Sequence, residues 1–557
     1  MKFLKENLYL VLSILLGVIL LLPLFQTGFF PVHDDTQIAR VAQMQKSLSD
    51  GHFPVRWVDD LGYGYGYPIF NFYAPLAYYV GALFTFLGFT PLVSTKIMMG
   101  IGFLLASIGM YLFGKSVWGK TAGFVSSVVY TYFFYHALNF YVRGAVAETW
   151  AYGLLPFLFW SLWELYKKEK LRYVIYGMLA YAGIILSHNL SAFLITPFYL
   201  VCLFLISLTQ REWKKKIITF LPLIGGGMLS AFYSIPALFE MGYTNVVSQI
   251  EGKGSIYSDH FVCLSQFWYS PWGFGGSTQG CLDGISFQIN KVILVAVLGS
   301  LVILLLKRNK ESTKLLLVLV SFLFFSLFMM TEYSLSVWKL FDPLRYLQFP
   351  WRYFQIVGLV IALIIGGGVG EILKSKLIHK YLKVVGVLIL VVFIIATHFK
   401  LFNPQFYIYD YRDESSKDVI RFTISSISDE YLPQSFIKPQ SSNDLPDEIF
   451  TVNSGDVETE YVEISTDKKL LKVKSSGKSQ IRLNIAYFPA WEIILDGKKI
   501  KPDVQNGLYI VELENGDHTI DINYRQTFIE NVGTAISFIS FLLLVLGIIK
   551  VWKRKLL

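Results

Sequence analysis

The sequence predicts a polytopic α-helical membrane protein with a small β domain ahead of its last helix. Of the 557 residues, 54% are hydrophobic and only 16% are charged, which excludes a soluble multidomain protein. Apolar runs of about 17 to 22 residues recur along the chain, and each can cross a bilayer core of about 30 Å as a helix. These runs lack the alternation that is typical of membrane β-barrels. We therefore expect about 12 to 14 transmembrane helices.

The basic residues predict the orientation of these helices. From residue 166 onward they cluster on alternate connections, at 167–172, 211–216, 307–314, 374–383 and 553–555. Connections rich in Lys and Arg face the cytoplasm, so the intervening loops are expected outside. The clusters account for the net charge of +9, and they indicate membrane lipids rather than nucleic acid as the partner. The chain is thus predicted to be a multi-pass protein of the cell membrane.

The N-terminal part is harder to trace through the membrane. Lysines ahead of the apolar run at 8–28 place the N-terminus inside, and no small-residue cleavage site follows, so this run is expected to remain as the first helix. The loop at 29–71 then lies outside. Three further runs precede the outside connection at 138–148, namely 72–89, 97–113 and 121–137. Three crossings give the wrong parity, so one of these runs is a dip, a split helix or not a span.

The composition changes between residues 401 and 530, where long apolar runs give way to short alternating stretches. Turn signals such as Asp496-Gly497 separate these stretches, which is typical of antiparallel strands. We expect a β-sandwich-like domain outside the membrane at 401–530, between a membrane domain at 1–400 and a last transmembrane helix with a basic tail at 531–557. Its aromatic residues are expected to pack in the core, with carbohydrate binding as the alternative. They are Tyr487, Phe488, Trp491 and Tyr509.

The loop at 29–71 begins with the motif His33-Asp34-Asp35. Adjacent carboxylates at a membrane surface need a partner, and a carboxylate here suits a general base toward an acceptor hydroxyl or a ligand of a divalent metal ion. Asp35 as the N-cap of a helix over 36–48 is the structural alternative. The Gly- and Tyr-rich stretch at 62–68 suits contact with a sugar or a prenyl chain, and an interfacial aromatic belt explains it equally well.

Three other polar motifs interrupt the apolar sequence. Arg143 and Glu148 lie at the start of a helix, either as a structural salt bridge or as a phosphate-binding cation with a second site carboxylate. His188 separates two apolar runs, where it caps a helix or contacts a ligand. Arg352 lies at the outer end of a helix, where it snorkels to lipid headgroups or binds a lipid-linked phosphate.

These groups all map to the same, outer face of the membrane. The set comprises His33, Asp34, Asp35, Arg56, Arg143, Glu148, His188, Arg345 and Arg352. Acid and base groups beside several cations suit a donor with a phosphate leaving group. The sequence has no His-Glu-x-x-His helix, Gly-x-Ser-x-Gly elbow or Walker loop, which argues against metal hydrolases, serine hydrolases and ATP-driven enzymes. Cys263 and Cys281 share one polar loop and are a candidate disulfide if that loop faces an oxidising exterior.

In these motifs the chain resembles bacterial membrane glycosyltransferases of the GT-C superfamily, and within it the YfhO-like proteins and the family labelled 6-pyruvoyl-tetrahydropterin synthase-related. The resemblance covers most of the chain. It rests on the segments His33 to Asp35, Gly64 to Pro68, Phe72 to Leu76, Arg143 to Glu148, Ser187 to Asn189, Phe349 to Arg352 and Tyr487 to Trp491. The pterin label implies nothing here, because the zinc-binding histidines of the soluble enzyme have no counterpart in the sequence.

The resemblance implies inverting transfer of a sugar from a polyprenyl-phosphate donor to an envelope glycan, teichoic acid or lipid outside the membrane. It assigns the general base to Asp34 or Asp35, and a second acidic role to Glu148. The residues that it implies for donor and phosphate binding are His33, Arg56, Arg143, His188 and Arg352. A divalent metal ion held by Asp34 and Asp35 is an open alternative. A transporter or flippase for a lipid-linked saccharide and a non-catalytic envelope scaffold are the competing functions.

Overall fold

The computed structural model describes residues 2–209, 212–250, 252, 256–306, 310–409 and 415–556. Residue 211 and residues 307–309 of the predicted basic connections lie outside the described residues. The helices are numbered in chain order. The first ten are α1 (Lys2–Ile19), α2 (Gln37–Ser49), α3 (Ile69–Phe72), α4 (Leu76–Phe86), α5 (Pro91–Trp118), α6 (Lys120–Thr131), α7 (Phe134–Ala137), α8 (Val146–Lys168), α9 (Leu171–Ser187) and α10 (Asn189–Thr209). The others are α11 (Trp213–Leu229), α12 (Ala231–Phe239), α13 (Val246–Ile250), α14 (Leu264–Trp268), α15 (Lys291–Leu306), α16 (Lys310–Met329), α17 (Leu335–Leu340), α18 (Phe354–Lys374), α19 (Lys380–His398), α20 (Ser425–Ile427) and α21 (Phe528–Leu556).

Six of the described helical segments are long and apolar enough to cross a membrane. They are Pro91–Trp118, Asn189–Thr209, Ser312–Met329, Pro350–Lys374, Lys380–Leu401 and Phe528–Lys553. Helices α11 and α12 form a pair bent by 69° that counts as a seventh span, and four shorter apolar helices accompany them. The predicted class, a polytopic helical membrane protein with a C-terminal β region, is confirmed. The count of about 12 to 14 crossings stays a prediction.

Helix α4 is shorter than the apolar run that it occupies. It has 11 residues, and at 1.5 Å per residue it spans about half of a bilayer core. Its neighbours α5 and α6 run in opposite directions beside α1. Lys96 Nζ, near the start of α5, donates to Gln26 O at 2.7 Å, and Thr121 Oγ1, at the start of α6, lies 3.2 Å from Tyr9 Oη. Helix α6, with 12 residues, is nearly as short, so which of the three runs does not cross stays a prediction.

The β domain consists of antiparallel strands in two sheets, ordered β1-β4-β8-β7 and β2-β3-β9-β5-β6. The strands are β1 (Phe450–Ser454), β2 (Val457–Ile464), β3 (Lys468–Ser475), β4 (Ser479–Ala486), β5 (Trp491–Leu495), β6 (Lys498–Ile500), β7 (Asp503–Gln505), β8 (Leu508–Leu513) and β9 (Gly516–Tyr524). Apolar side chains such as Leu471 and Ile481 are fully buried and form the core. Three of the four aromatic residues predicted to pack there, Phe488, Trp491 and Tyr509, are buried as well.

The β domain sits directly on the first loop. Trp57 of this loop is fully buried, and its ring centroid lies 5.3 Å from that of Trp491. The Ala486 N–H, at the end of β4, donates to Tyr65 O of the loop at 2.9 Å. The loop and the β domain are therefore at the same end of the helices. Residues 415–449, which form no strand, pack beside both of them.

Candidate functional site

A cavity of about 900 Å³ opens where the first loop meets the ends of the helices. Its wall combines the first loop, the starts of α8 and α10, the end of α12, the stretch ahead of α18 and residues 427–431. The predicted site residues that line it are His33, Asp34, Arg143, Glu148, His188 and Arg352. The fold thus brings together side chains that are spread over more than half of the chain.

Backbone hydrogen bonds hold the acidic motif beside the Arg143 motif. The Asp34 N–H donates to Arg143 O at 2.9 Å, and the His33 N–H donates to Val142 O at 3.2 Å. Gln37 Nε2 then bridges Asp34 O and Gly144 O, both at 3.1 Å. The Asp34 side chain is exposed to the cavity, and its carboxylate makes no hydrogen bond to any part of the chain that the structure describes. This carboxylate is therefore available to a ligand.

Asp35 does not line the cavity. Helix α2 has Thr36 as its N-cap, without a capping side-chain hydrogen bond, so the helix-cap alternative for Asp35 is not observed. Among the described residues, no group of three His, Cys, Asp or Glu side chains converges to hold a metal ion.

One side of the cavity, the cationic wall, is formed by Arg143, Glu148, His188 and Arg352. Glu148 lies in the first turn of α8 and is 1% exposed. Its carboxylate accepts from Arg143 Nη1 at 2.8 Å and lies 3.5 Å from Arg352 Nε. Two buried guanidinium groups thus share one carboxylate. The predicted Arg143–Glu148 salt bridge exists, and it lies in the cavity wall.

Aromatic rings and amides fix the two arginines in place. The Arg143 guanidinium lies 4.6 Å from the centroid of the Trp351 ring, and Arg143 Nη1 donates to Asn139 Oδ1 at 2.6 Å. Arg352 Nη1 donates to Leu347 O at 2.5 Å. Arg352 is only 6% exposed, so its head group turns inward to Glu148 rather than outward to lipid headgroups.

His188 is linked to the same carboxylate through two side chains. The Ser191 N–H donates to His188 Nδ1 at 3.2 Å, which leaves the proton of a neutral ring on Nε2. Ser191 Oγ contacts Nδ1 at 2.7 Å and donates to Gln355 Oε1 at 2.9 Å. Gln355 Nε2 in turn donates to Glu148 Oε1 at 3.0 Å. Because Nδ1 is engaged, Nε2 is the ring nitrogen that remains for a ligand.

The other side of the cavity, the second wall, combines the first loop with residues 427–431. It is formed by Arg40, Phe72, Tyr73, Ser428, Asp429, Glu430 and Tyr431. Arg40 Nη2 donates to Ser428 Oγ at 2.9 Å, and its guanidinium lies 4.0 Å from the centroid of the Tyr73 ring. Burial raises the pKa of Glu430, and the charge of Arg40 opposes this shift. Asp429 pairs with Lys438 at 2.7 Å.

The Gly- and Tyr-rich stretch at 62–68 supports the second wall. Tyr63 Oη donates to Asp429 Oδ2 at 3.0 Å, and Tyr67 Oη donates to Ser428 O at 2.8 Å. Gly66 has φ +69°, and a Cβ atom there would lie 2.6 Å from the Trp57 ring, so the tight path of this stretch requires glycine. The tyrosines of this stretch are buried against the β domain region rather than exposed as an aromatic belt.

Sequence reasoning singled out the segment that contains Phe72 and Tyr73 but missed the polar residues of the second wall. Ser428, Asp429 and Glu430 lie in a Ser- and Asp-rich stretch that reads as loop, and no local pattern connects them with Arg40, 388 residues earlier. The signal that the sequence offered for the polar part of this wall was Arg40, a cation that is buried on helix α2.

Two predicted or suspected cations lie away from the cavity. Arg56 is 1% exposed and donates to Asn71 Oδ1 at 2.7 Å, to Phe232 O at 3.0 Å and to Thr534 Oγ1 at 3.1 Å. It ties the first loop to α12 and α21. Arg345 pairs with neighbouring Asp342 at 3.4 Å near the surface.

A disulfide joins Cys263 to Cys281, whose Cα atoms are 5.6 Å apart. The loop that it closes contacts the site at two points. His33 Nε2 lies 3.0 Å from Phe274 O, and Trp351 Nε1 donates to Ser277 Oγ at 3.3 Å. The disulfide loop therefore supports the side of the cavity that carries the cationic wall.

Residues 70–403 match the family model described as "6-pyruvoyl-tetrahydropterin synthase related domain; membrane protein". An uncharacterized protein of Lactococcus lactis subsp. cremoris is 24% identical over 258 residues. The alignment covers 44% of this chain and 42% of that protein, so the chain spans less than half of this relative.

The solved structures that are similar to this chain include two transferases. The arabinofuranosyltransferase AftD from Mycobacteria gives a TM-score of 0.48 at 12% identity, over 72% of this chain and 27% of that one. The oligosaccharyltransferase of Archaeoglobus fulgidus gives 0.44 at 14% identity, over 72% of this chain and 55% of that one. The same archaeal protein, AglB, in complex with an inhibitory peptide and a dolichol-phosphate, gives 0.41 at 13% identity. At TM-scores below one half, any functional assignment must come from the cavity rather than from these neighbours.

Proposed function

We propose that this chain, which belongs to the 6-pyruvoyl-tetrahydropterin synthase related family of membrane proteins, is a membrane glycosyltransferase. All four residues of its cationic wall lie within the span that matches the family. The proposed donor is a sugar linked to a polyprenyl phosphate, and the proposed acceptor is a hydroxyl of a cell-envelope molecule outside the membrane. One observation carries the proposal. The exposed carboxylate of Asp34 faces the same cavity as two buried guanidinium groups that share a single carboxylate.

The charge balance of the cationic wall suits a phosphate. Arg143 and Arg352 contribute two positive charges, and Glu148 offsets one of them. The buried cluster therefore keeps one positive charge in excess, and Asp34, exposed on the same cavity, is the other carboxylate beside it. Guanidinium groups bind phosphate oxygens through charge-assisted hydrogen bonds, and His188 Nε2 is placed to add a neutral donor.

Asp34 is the proposed general base. The oxygen of the acceptor hydroxyl attacks the anomeric carbon of the donor sugar while the bond from that carbon to the phosphate oxygen breaks. Asp34 takes the hydroxyl proton, and the polyprenyl phosphate leaves with the bonding electron pair. The negative charge that grows on the phosphate is stabilised by Arg143 and Arg352. Attack opposite the leaving group inverts the anomeric centre.

Glu148 is proposed as a positioning residue rather than a base. It is buried and already accepts hydrogen bonds from Arg143, Gln355 and Tyr135. A carboxylate in this setting holds the arginines at a fixed separation and limits their mutual repulsion. The proposal assigns no step to a metal ion.

The apolar part of the cavity wall suits the prenyl chain of the donor. Leu190 and Phe193 of α10 face the end of α12, where Ala237 and Leu238 complete this part of the wall. Leu238 is 67% exposed, so the apolar lining continues to the outer surface of the helices. A donor that enters here would place its chain in lipid and its phosphate toward Arg352.

The test compares the two neighbouring aspartates, because only one of them lines the cavity. We expect Asp34→Asn to reduce sugar transfer by about a hundredfold to ten-thousandfold, the usual contribution of a general base. Asp35→Asn should keep most of the activity. Envelope polymers and lipid extracts are compared by mass spectrometry in cells that carry each variant at matched membrane abundance. Loss of one sugar increment from one polymer, with build-up of its prenyl-phosphate sugar, is the expected result for Asp34→Asn alone.

Normal polymers in cells with Asp34→Asn would overturn the proposal. The transporter alternative has its own signature: purified wild-type protein would move a labelled prenyl-linked saccharide between leaflets without forming a glycosidic bond.

A further inference from the structure

The two walls of the cavity differ in their balance of charge. In the cationic wall two arginines share one buried carboxylate, and the exposed Asp34 is the other carboxylate beside them. On the second wall each charge has an opposite partner, since Arg40 faces Glu430 across Ser428 and Asp429 pairs with Lys438. The second wall therefore offers charged hydrogen-bonding groups without a net attraction for an anion.

The second wall also presents aromatic rings. Phe72 and Tyr431 stack with ring centroids 5.8 Å apart and planes 9° apart, and Tyr73 lies under the Arg40 guanidinium. Flat rings next to carboxylate and hydroxyl oxygens match a sugar, which has apolar C–H faces and a rim of hydroxyl groups. A chain of phosphodiesters matches this surface poorly, because the cations beside it, Arg40 and Lys438, are already paired with Glu430 and Asp429.

Asp34 lies within electrostatic reach of both walls. Its charge acts on Arg143 and Arg352 on one side and on Tyr73 on the other. A general base must contact the acceptor hydroxyl, while the leaving phosphate must contact the cations. An acceptor on the second wall and a donor phosphate on the cationic wall meet both requirements.

We propose that the second wall is the acceptor subsite, and that the acceptor is an uncharged glycan rather than a phosphate-bearing polymer. This rests on the proposed function, and it selects one of the three acceptor classes named from the sequence. In this proposal the acceptor is recognised by residues 427–431, which hydrogen bonds from Tyr63 and Tyr67 hold against the first loop. It is not recognised by the aromatic residues of the β domain.

A binding experiment tests this without relying on catalysis. Purified full-length protein in lipid nanodiscs is titrated with two probes, neutral oligosaccharides released from the host envelope and a glycerol-phosphate oligomer of similar length. The wild type should bind the neutral probe more tightly. Tyr431→Ala should weaken this binding by about tenfold through the lost ring contact. Tyr461→Ala, on the exposed edge strand β2, is the matched control and should bind like the wild type.

Glu430→Gln gives a second, independent readout, because it leaves Arg40 without its acidic partner. This variant should gain affinity for the glycerol-phosphate oligomer and lose affinity for the neutral probe. Stronger binding of the glycerol-phosphate oligomer by the wild type would overturn the proposal. So would neutral-probe binding by Tyr431→Ala and Glu430→Gln equal to that of the Tyr461→Ala control. Sugar transfer is measured separately by comparing the wild type with Asp34→Asn. A failure of the subsite proposal and a failure of the transferase proposal are therefore distinguishable.

Discussion

The cationic wall and the second wall face the same cavity, yet they are built in opposite ways. The charges of the cationic wall are tied to one carboxylate, Glu148, which stands five residues after Arg143 in the sequence. The second wall pairs Arg40 with residues 388 or more positions away. The first arrangement leaves a net charge inside a buried cluster, and the second does not. In our proposals this difference separates the leaving phosphate from the acceptor sugar.

Removing Glu148 should have the largest effect on stability. Glu148→Gln leaves two buried guanidinium groups without a counter-charge, and loss of one member of a buried ion pair costs about 3 to 5 kcal/mol. We expect a marked loss of thermal stability in detergent. It is measured as the temperature at which half of the monodisperse peak in size-exclusion chromatography is lost.

The control is an exposed ion pair near the same end of the helices. Asp342→Asn removes the ion pair with Arg345, whose side chain is 37% exposed, and should change stability by less than about 1 kcal/mol. Equal losses of stability in the two variants would show that the buried charges of the cationic wall contribute no more than an exposed ion pair.

The same contrast explains what the sequence could predict. The length of the apolar runs predicted a membrane protein. The alternation of apolar and polar residues between turn dipeptides predicted the β domain. The run at 72–89 contains Pro75, and its helix α4 extends only over Leu76–Phe86. Hydropathy counts apolar residues but does not show where a helix breaks.

The candidate site divides in a similar way. Arg143, Glu148 and Arg352 were predicted because each is a charged residue inside an apolar sequence, where charged residues are costly and rare unless they have a function. Asp34 and Asp35 could not be separated, since only the backbone bonds to the Arg143 motif decide which of them faces the cavity. Glu430 lies in a polar stretch where charged residues are common, so its position in the cavity wall is seen only in the tertiary structure.

The supports of the two walls also differ, and this gives a second prediction. The disulfide closes a loop with a sequence separation of 18 residues beside the cationic wall, and its removal should cost about 3 kcal/mol. The double variant Cys263→Ser/Cys281→Ser should therefore melt earlier and lose activity, because His33 and Trp351 lose a fixed neighbour.

On the second wall the matched change is Tyr63→Phe, which removes one hydrogen bond to Asp429. It should cost only about 1 kcal/mol. If the cysteine variant melts no earlier than Tyr63→Phe, the disulfide loop does not brace the cationic wall.

Exchanging arginine for lysine on each wall separates their roles. Arg352→Lys keeps the charge but loses the planar fork that suits phosphate, so the KM for the prenyl-phosphate donor should rise by about tenfold or more. Arg40→Lys should leave the donor KM unchanged and raise the KM for the acceptor. Steady-state kinetics with each substrate varied in turn measure both constants. A rise in donor KM for both variants would mean that the two walls do not divide the substrates.

The pH dependence of the second wall should give the smallest effect. Burial raises the pKa of Glu430 above its ordinary value of 4.5, although Arg40 opposes the shift. The unfolded chain loses this proton at a lower pH than the folded chain does, so the folded state binds more protons between the two pKa values. Stability from this group is therefore full below the unfolded pKa and falls as the pH rises through the folded pKa. Melting temperatures from pH 4 to 8 should show the wild type losing stability relative to Glu430→Gln. The exposed Glu512→Gln variant should run parallel to the wild type. If the wild type instead becomes more stable than Glu430→Gln as the pH rises, the attraction of Arg40 outweighs the effect of burial on Glu430. The second wall would then resemble the ion-paired cationic wall.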